Sequence, residues 1–314
     1  MQKSIAYLSS ASAADRERWC RHLALAMPEE TIIPFGAMSD AARLACDLAI
    51  VADPDPELLK MLPALRWVQS LYAGVEKIVK QIPDAPFRLV RLEDPEMARK
   101  MAEAVVAWTL YLHRDMPAYA DQQRHKIWRE QDHTRAGGRH IGIIGMGHLG
   151  AAAAAALRAL HFTVSGWSRS AKAIKGIATY SGEDGLAAML AEVEIVVLLI
   201  PVTDATRGLI NTARLASMQD GVQIINFARG AIIRTDDLLA ALESGKVRHA
   251  VLDVFDQEPL PETSPLWSHP SVTVLPHISG PTNRETASAI VARNIRRYRK
   301  TGAMPKGVDM ARGY

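Results

Sequence analysis

Residues 139–170 read RHIGIIGMGHLGAAAAAALRALHFTVSGWSRS. An apolar run at 141–144 meets a turn in which Gly145, Gly147 and Gly150 are spaced as GxGxxG. The alanine-rich 151–160 that follows consists of strong helix formers, and a second apolar run occupies 162–167. Strand, turn, helix and strand in this order form the first half of a dinucleotide-binding unit. Each glycine has its own task there. Gly145 lets the chain turn out of the strand, Gly147 leaves the backbone bare for a pyrophosphate, and Gly150 lets the helix pack on the strand. The backbone of Gly145, Met146, Gly147, His148, Leu149 and Gly150, with the positive end of the helix dipole, then faces the phosphates.

The far end of the stretch bears on which cofactor is held. In such units an acid about 20 residues past the first glycine binds the ribose 2′-hydroxyl. Here Ser168 follows Gly145 by 23 residues, within Trp167-Ser168-Arg169-Ser170, and the turn has no Asp or Glu. An acid would repel a 2′-phosphate. Arg169 can pair with one through its planar fork, and the hydroxyls of Ser168 and Ser170 can donate to it. The turn predicts NADP(H) over NAD(H).

Around this stretch, 314 residues suffice for two domains and a large core. Charged residues make up 23% with a formal net charge of +3 and interspersed signs, which excludes a nucleic-acid stripe. The basic run at 293–300 reads as a solvated helix face. Cys20 and Cys46 show no CxxC pairing, and the ten histidines show no HExxH grouping, so no metal is expected. The N-terminal apolar run is too short for a signal peptide, and that at 195–200 is far below the ~18–20 residues of a membrane span. A soluble, reduced, cytoplasmic protein without membrane attachment is expected.

The first hundred residues alternate predicted strands at 4–8, 48–51, 67–70 and 87–90 with helices at 14–26 and 57–62, which implies a parallel sheet. A long helix is predicted at 97–114. Residues 115–135 are polar without a clear strand, and their Tyr119 and Trp128 are candidates to cover a neighbour or a partner subunit. Beyond the opening stretch the pattern predicts a helix at 185–190 and a buried strand at 194–200 ending at Pro201. Another strand follows at 222–227. A helix at 236–244 has Thr235 as N-cap and Gly245 as stop, with Asp236 and Asp237 suiting the dipole. Strands at 250–255 and 272–275 precede a last helix at 284–300.

Three local sequences sit at the C-terminal ends of predicted strands, the edge where an open α/β sheet binds ligands. They are Asn226-Phe227-Ala228-Arg229-Gly230, the run 253–260 (DVFDQEPL), and Pro276-His277-Ile278-Ser279-Gly280. Alone, an arginine after a strand is usually structural, and a lone histidine is more often a satisfied one than a catalyst. Together, after a GxGxxG, they resemble the D-2-hydroxyacid dehydrogenase family. The likeness runs through GMGHLG, LLIPVT, INFARGAII, DDLLAALESGKV, LDVFDQEPLP and PHIS. SLYAGVEKI, RLEDPEM, GWSRS, SPLWSHP and the terminal VDMARGY resemble its glyoxylate/hydroxypyruvate reductase A branch.

The resemblance implies an α/β fold of two doubly wound parallel-sheet, Rossmann-like domains with a cleft between them. Residues 1–102 plus 284–314 would form the substrate-binding domain, and 103–283 the dinucleotide-binding domain. It implies NADPH-dependent reduction of small 2-keto acids such as glyoxylate and hydroxypyruvate to 2-hydroxy acids, by a homodimer. His277 matches the acid/base histidine, Glu258 its carboxylate partner, and Arg229 the arginine that binds the keto acid. Ala73, Gly74 and Val75 match a second carboxylate grip made by backbone N–H groups. Asp253 matches a residue near the nicotinamide amide, and Pro201 and Ala228 would line the cofactor. Tyr72 stands where the family more often has Gly, adding bulk beside the substrate site, while Glu76 and Gly280-Pro281 also depart from the pattern. An NAD-dependent relative with another substrate, and a non-catalytic NADP(H) sensor on the same fold, are the alternatives; the WSRS turn argues against the first, and the complete Arg229, Glu258, His277 set against the second.

Overall fold

A computed structural model describes residues 4–310; the last four residues of VDMARGY lie outside the described residues. The chain divides into two compact units, one comprising residues up to Glu96 together with those from Thr282 on, the other Met97–Pro281.

The first unit opens with β1 (Ile5–Ser9), α1 (Ala13–Ala26), β2 (Ile32–Pro34) and α2 (Asp40–Ala45). It continues with β3 (Leu48–Ala52), β4 (Trp67–Ser70), α3 (Glu76–Gln81) and β5 (Arg88–Val90). Its five strands are all parallel, in the order β2-β1-β3-β4-β5. Helices cover the sheet, so β3 and β4 are buried at every position; β3 reads as a continuous apolar run in the sequence, while β4 also buries Gln69 and Ser70. Ser12 starts α1 by accepting the Asp15 N–H at 3.2 Å.

The second unit contains α4 (Pro95–His113), whose first turn spans the boundary, then α5 (Met116–Arg124), β6 (His140–Ile144), α6 (His148–Ala159), β7 (Thr163–Ser168) and β8 (Ala178–Ser181). There follow α7 (Gly182–Glu192), β9 (Ile195–Leu198), α8 (Thr212–Ser217), β10 (Val222–Asn226), α9 (Thr235–Glu243), β11 (Val247–Leu252) and β12 (Val272–Val274). Its seven strands are parallel, in the order β12-β11-β10-β9-β6-β7-β8. Successive strand residues feed opposite faces. Val196, Leu198 and Ile224 join one apolar cluster with Leu186, Leu190 and Leu238. Ile195, Val197 and Ile225 join another with Val105, Ala153 and Leu157.

The chain ends in α10 (Arg284–Thr301), which belongs to the first unit. Arg284 pairs with Asp15, Arg299 reaches Glu30 at 3.0 Å, and Asn294 donates to Gln69 at 3.0 Å. Gly302, at φ 72°, closes the helix in the left-handed conformation that glycine adopts without strain.

The structure adds to one local expectation and revises two. The polar 115–135 contains α5, entered through Asp115 at φ 53°. Thr235 is not the cap of α9 but its first residue, and Arg234 occupies the cap position. Asp237 in that first turn accepts the Thr212 N–H of α8 at 2.8 Å, so the acid caps a neighbouring helix. β11 begins at Val247, because Arg248 and His249 interrupt the apolar run without interrupting the strand.

Candidate active site

In the second unit β6 lies between β9 and β7, so the chain order reverses there. The turn leaving β6 is the glycine loop. Gly145 has φ 116°, and a Cβ on it would come within 2.6 Å of the Leu199 carbonyl group. A Cβ on Gly150 would strike the Gly145 carbonyl oxygen. Gly147 instead faces open space, with nothing within 4 Å of the position a Cβ would take. That open face, at the start of α6, fits a phosphate approaching the backbone. The first-turn N–H groups of α6, at His148, Leu149 and Gly150, have no carbonyl of their own helix to bond. Met146 faces inward. Its N–H, like that of Gly145, donates to the Trp167 carbonyl, at 3.2 and 2.8 Å respectively, and its thioether covers Gly166.

β7 ends at Ser168, and Arg169 and Ser170 are exposed. The Ser168 hydroxyl donates to the Ser170 carbonyl at 2.8 Å and closes the turn. Sequence reasoning missed Lys172. Its ammonium donates to the Met146 carbonyl at 2.7 Å, which brings a cation to the glycine loop. Nothing in the sequence marks this contact, since the partners are 26 residues apart.

The ends of three neighbouring strands, β10, β11 and β12, are laced together by hydrogen bonds. Asn226, the last residue of β10, is buried and holds the next turn at both ends. Its Oδ1 accepts the Ala228 N–H at 3.1 Å and its Nδ2 donates to the Arg229 carbonyl at 3.0 Å. Asn226 was legible only as part of INFARG; an Asx side chain bonding its own turn is the signal that finds it. Arg229 is half-buried, with Nη1 donating to the Ala228 carbonyl at 2.6 Å. Gly230 lies against the Phe255–Asp256 peptide so closely that a Cβ has no room. The Thr206 hydroxyl holds the Pro201 carbonyl at 2.8 Å, after β9.

The Glu258 carboxylate bridges two segments. Oε1 accepts the Phe255 N–H at 2.9 Å, and Oε2 meets His277 Nδ1 at 2.7 Å. The two side chains are 36% and 51% exposed. An ion pair that exposed is worth about 0–1 kcal/mol of stability, so its effect lies in orienting the ring. A carboxylate on Nδ1 fixes the proton there and leaves Nε2 as the nitrogen for chemistry. His277 sits at φ 54°, a conformation costing about 1–2 kcal/mol for a residue other than glycine. Its N–H donates to the Asp253 carbonyl at 3.0 Å. The Asp253 carboxylate accepts the N–H groups of Ile278 and Ser279 at 2.7 and 2.9 Å. Hydrogen bonds to a charged acceptor contribute about 1.5–3 kcal/mol each, enough to hold the strained entry.

His249 shows the contrast. Buried in β11 with Nε2 at 2.9 Å from the Thr273 hydroxyl, it is pushed down to a pKa of about 4 by burial, then by His269 and Arg248. It is a neutral core histidine. In the first unit, the turn 72–75 is pinned by a mutual pair between Tyr72 and Ser70, both at 3.0 Å, and by the Leu92 N–H on the Tyr72 carbonyl at 3.0 Å. The Tyr72 ring packs edge-on to Trp19, centroids 6.4 Å apart, and burial raises its phenol pKa. Gly280, a departure from the family pattern, faces Met101, whose Cε would lie 2.8 Å from a Cβ there.

Among the described residues no group of three or more His, Cys, Asp or Glu is arranged to hold a metal ion, and no helix is long and apolar enough to cross a membrane. A sequence profile described as the D-isomer specific 2-hydroxyacid dehydrogenase NAD binding domain matches residues 106–279. Solved structures agree over the whole chain. A D-isomer specific 2-hydroxyacid dehydrogenase from Xanthobacter autotrophicus Py2, in complex with NADPH and MES, is 34% identical with a TM-score of 0.92, covering 100% of both chains. The NADPH-dependent glyoxylate/hydroxypyruvate reductase SmGhrA from Sinorhizobium meliloti, in complex with NADP and sulfate, is 31% identical with a TM-score of 0.91, covering 100% of both. A family protein from Klebsiella pneumoniae 342 is 33% identical with a TM-score of 0.90, covering 98% of this chain and 97% of that one. With a profile match over more than half of the chain and relatives above 30% identity over its full length, the chain is an oxidoreductase and belongs to the D-isomer specific 2-hydroxyacid dehydrogenase family.

Proposed function

We propose that this protein reduces small 2-keto acids, glyoxylate and hydroxypyruvate among them, to 2-hydroxy acids with NADPH. The observation that carries the reading is the 2.7 Å contact between His277 Nδ1 and Glu258 Oε2, in the strand-end frame that also fixes Arg229. The cofactor, when bound, supplies the hydride. The residues of the chain do the rest. His277 holds a proton on Nε2 and delivers it to the ketone oxygen as that oxygen gains charge. Glu258 holds the ring in place through Nδ1. Arg229 swings its guanidinium onto the substrate carboxylate and carbonyl, and stabilises the charge that builds on the oxygen.

Gly147, His148, Leu149 and Gly150 would hold the diphosphate, with Lys172 as a nearby cation, and Pro201 and Ala228 would line the dinucleotide. The 2′-phosphate falls to Arg169 with Ser168 and Ser170. The turn at 167–170 has no acid to oppose it, and SmGhrA, 31% identical, carries NADP in its structure. Arg169→Ala is expected to raise KM for NADPH about 10- to 100-fold, the loss of about 1.5–3 kcal/mol of charge-assisted hydrogen bonding, and to leave KM for NADH unchanged. An unaltered NADPH KM in steady-state assays would remove Arg169 from the 2′-phosphate.

Assembly as a homodimer is part of the same proposal. Trp128 is fully exposed, with Ile127 and Met116 exposed near it in sequence, and such apolar groups on a polar segment suit a partner subunit. Both cysteines are unpaired, which suits a reducing compartment such as the cytoplasm.

A further inference from the structure

We infer that Asp253 is the positioning residue of the proton donor: its carboxylate and carbonyl hold segment 277–279 so that His277 meets Glu258. The inference rests on the reading of His277 as the acid. Asp253 directly follows β11 and is 2% exposed. It takes three successive N–H groups from one segment: His277 on its main-chain oxygen, Ile278 on Oδ1 and Ser279 on Oδ2. Packing does not order this segment at its start. Pro276 and His277 are exposed, and Ile278 is 55% exposed. An exposed segment with few apolar contacts opens easily, yet His277 must keep a left-handed φ of 54° for its ring to reach the carboxylate. The hydrogen bonds to Asp253 are what the structure offers to keep it there. Asp253 is itself tied in, since its N–H donates to the Asn226 carbonyl at 3.1 Å. The same frame therefore fixes the turn that carries Arg229.

The chemistry of the side chain makes this testable. A carboxylate accepts on both oxygens, whereas an asparagine amide accepts on one and would point an N–H₂ at a backbone N–H. Asp253→Asn is expected to lower kcat about 100-fold, the effect of a misplacement near 1 Å. In a His277→Asn background the same change is expected to cost nothing more, because a missing acid needs no positioning. Equal losses in both backgrounds would overturn the inference. The resemblance places Asp253 near the nicotinamide amide, and the 3-acetylpyridine analogue of NADPH, which lacks that amide, separates the two roles. A loss equal with both coenzymes supports positioning; a loss that vanishes with the analogue overturns it. Hydrogen exchange on the unsubstituted protein provides a reading without any variant. The Ile278 and Ser279 amides should exchange far more slowly than an open peptide, and exchange at the open-peptide rate would overturn the inference. Full turnover in His277→Asn would instead strike the reading of His277, so the two failures are distinguishable.

Discussion

His277→Asn is expected to lower kcat for 2-keto acid reduction by about 10²–10⁴-fold, with the dissociation constant of NADPH unchanged. The ring of His277 touches Glu258 at 2.7 Å through Nδ1, and the glycine loop proposed to hold the coenzyme phosphates is built from other elements, β6 and α6. Asparagine is close in size to the ring's near half and can still bond the carboxylate, but it has no group that gives up a proton near neutral pH. The loss should fall on kcat rather than on coenzyme affinity, because the interaction removed is one made in the transition state. Stability should change little, since a pair this exposed contributes about 0–1 kcal/mol. Steady-state kinetics with a fluorescence titration of NADPH checks both halves. Unchanged turnover would take the acid role away from His277.

Arg229→Lys should lower kcat/KM for the keto acid about 100-fold, close to 2.7 kcal/mol, through a raised KM and a lowered kcat together. Lysine keeps the charge. It loses the planar fork that holds a carboxylate through two parallel bonds. The turn beneath should survive, because Asn226 holds it through the Ala228 N–H and the Arg229 carbonyl, both main-chain groups that the substitution leaves in place. One Arg229 nitrogen also donates to the Ala228 carbonyl at 2.6 Å. The measurement is KM and kcat for glyoxylate, with the thermal midpoint as a control on folding. Wild-type values of both constants would show that Arg229 does not anchor the substrate.

Much of this arrangement is legible in the sequence, for a physical reason. Parallel strands covered on both faces become apolar runs, unbroken in β3 and β9 and broken by Gln223 in β10, and their C-terminal ends point to the motifs that follow. The glycine spacing is equally visible, because Gly145 and Gly150 sit where a side chain would collide with backbone. The edge strands β2 and β8 are not visible: β2 is only three residues, IIP, cut short by its proline, and β8, ATYS, has no apolar run. Contacts that depend on register are also hidden. Leu252 pairs with Val274, and this alignment of β11 with β12 brings Asp253 beneath His277, 24 residues later in the chain. Lys172 on Met146 is hidden for the same reason. Sequence pattern identifies the groups that do chemistry better than those that hold them in place.

The reading of the protein as an NADPH-dependent keto-acid reductase is tested most directly on the unsubstituted enzyme, by following coenzyme absorbance with glyoxylate, hydroxypyruvate and pyruvate against both NADPH and NADH. The expected result is oxidation of NADPH by glyoxylate or hydroxypyruvate, at a kcat/KM well above that with NADH, and with a 2-hydroxy acid as product. Oxidation of neither coenzyme across a broad panel of 2-keto acids, or a clear preference for NADH, would contradict it.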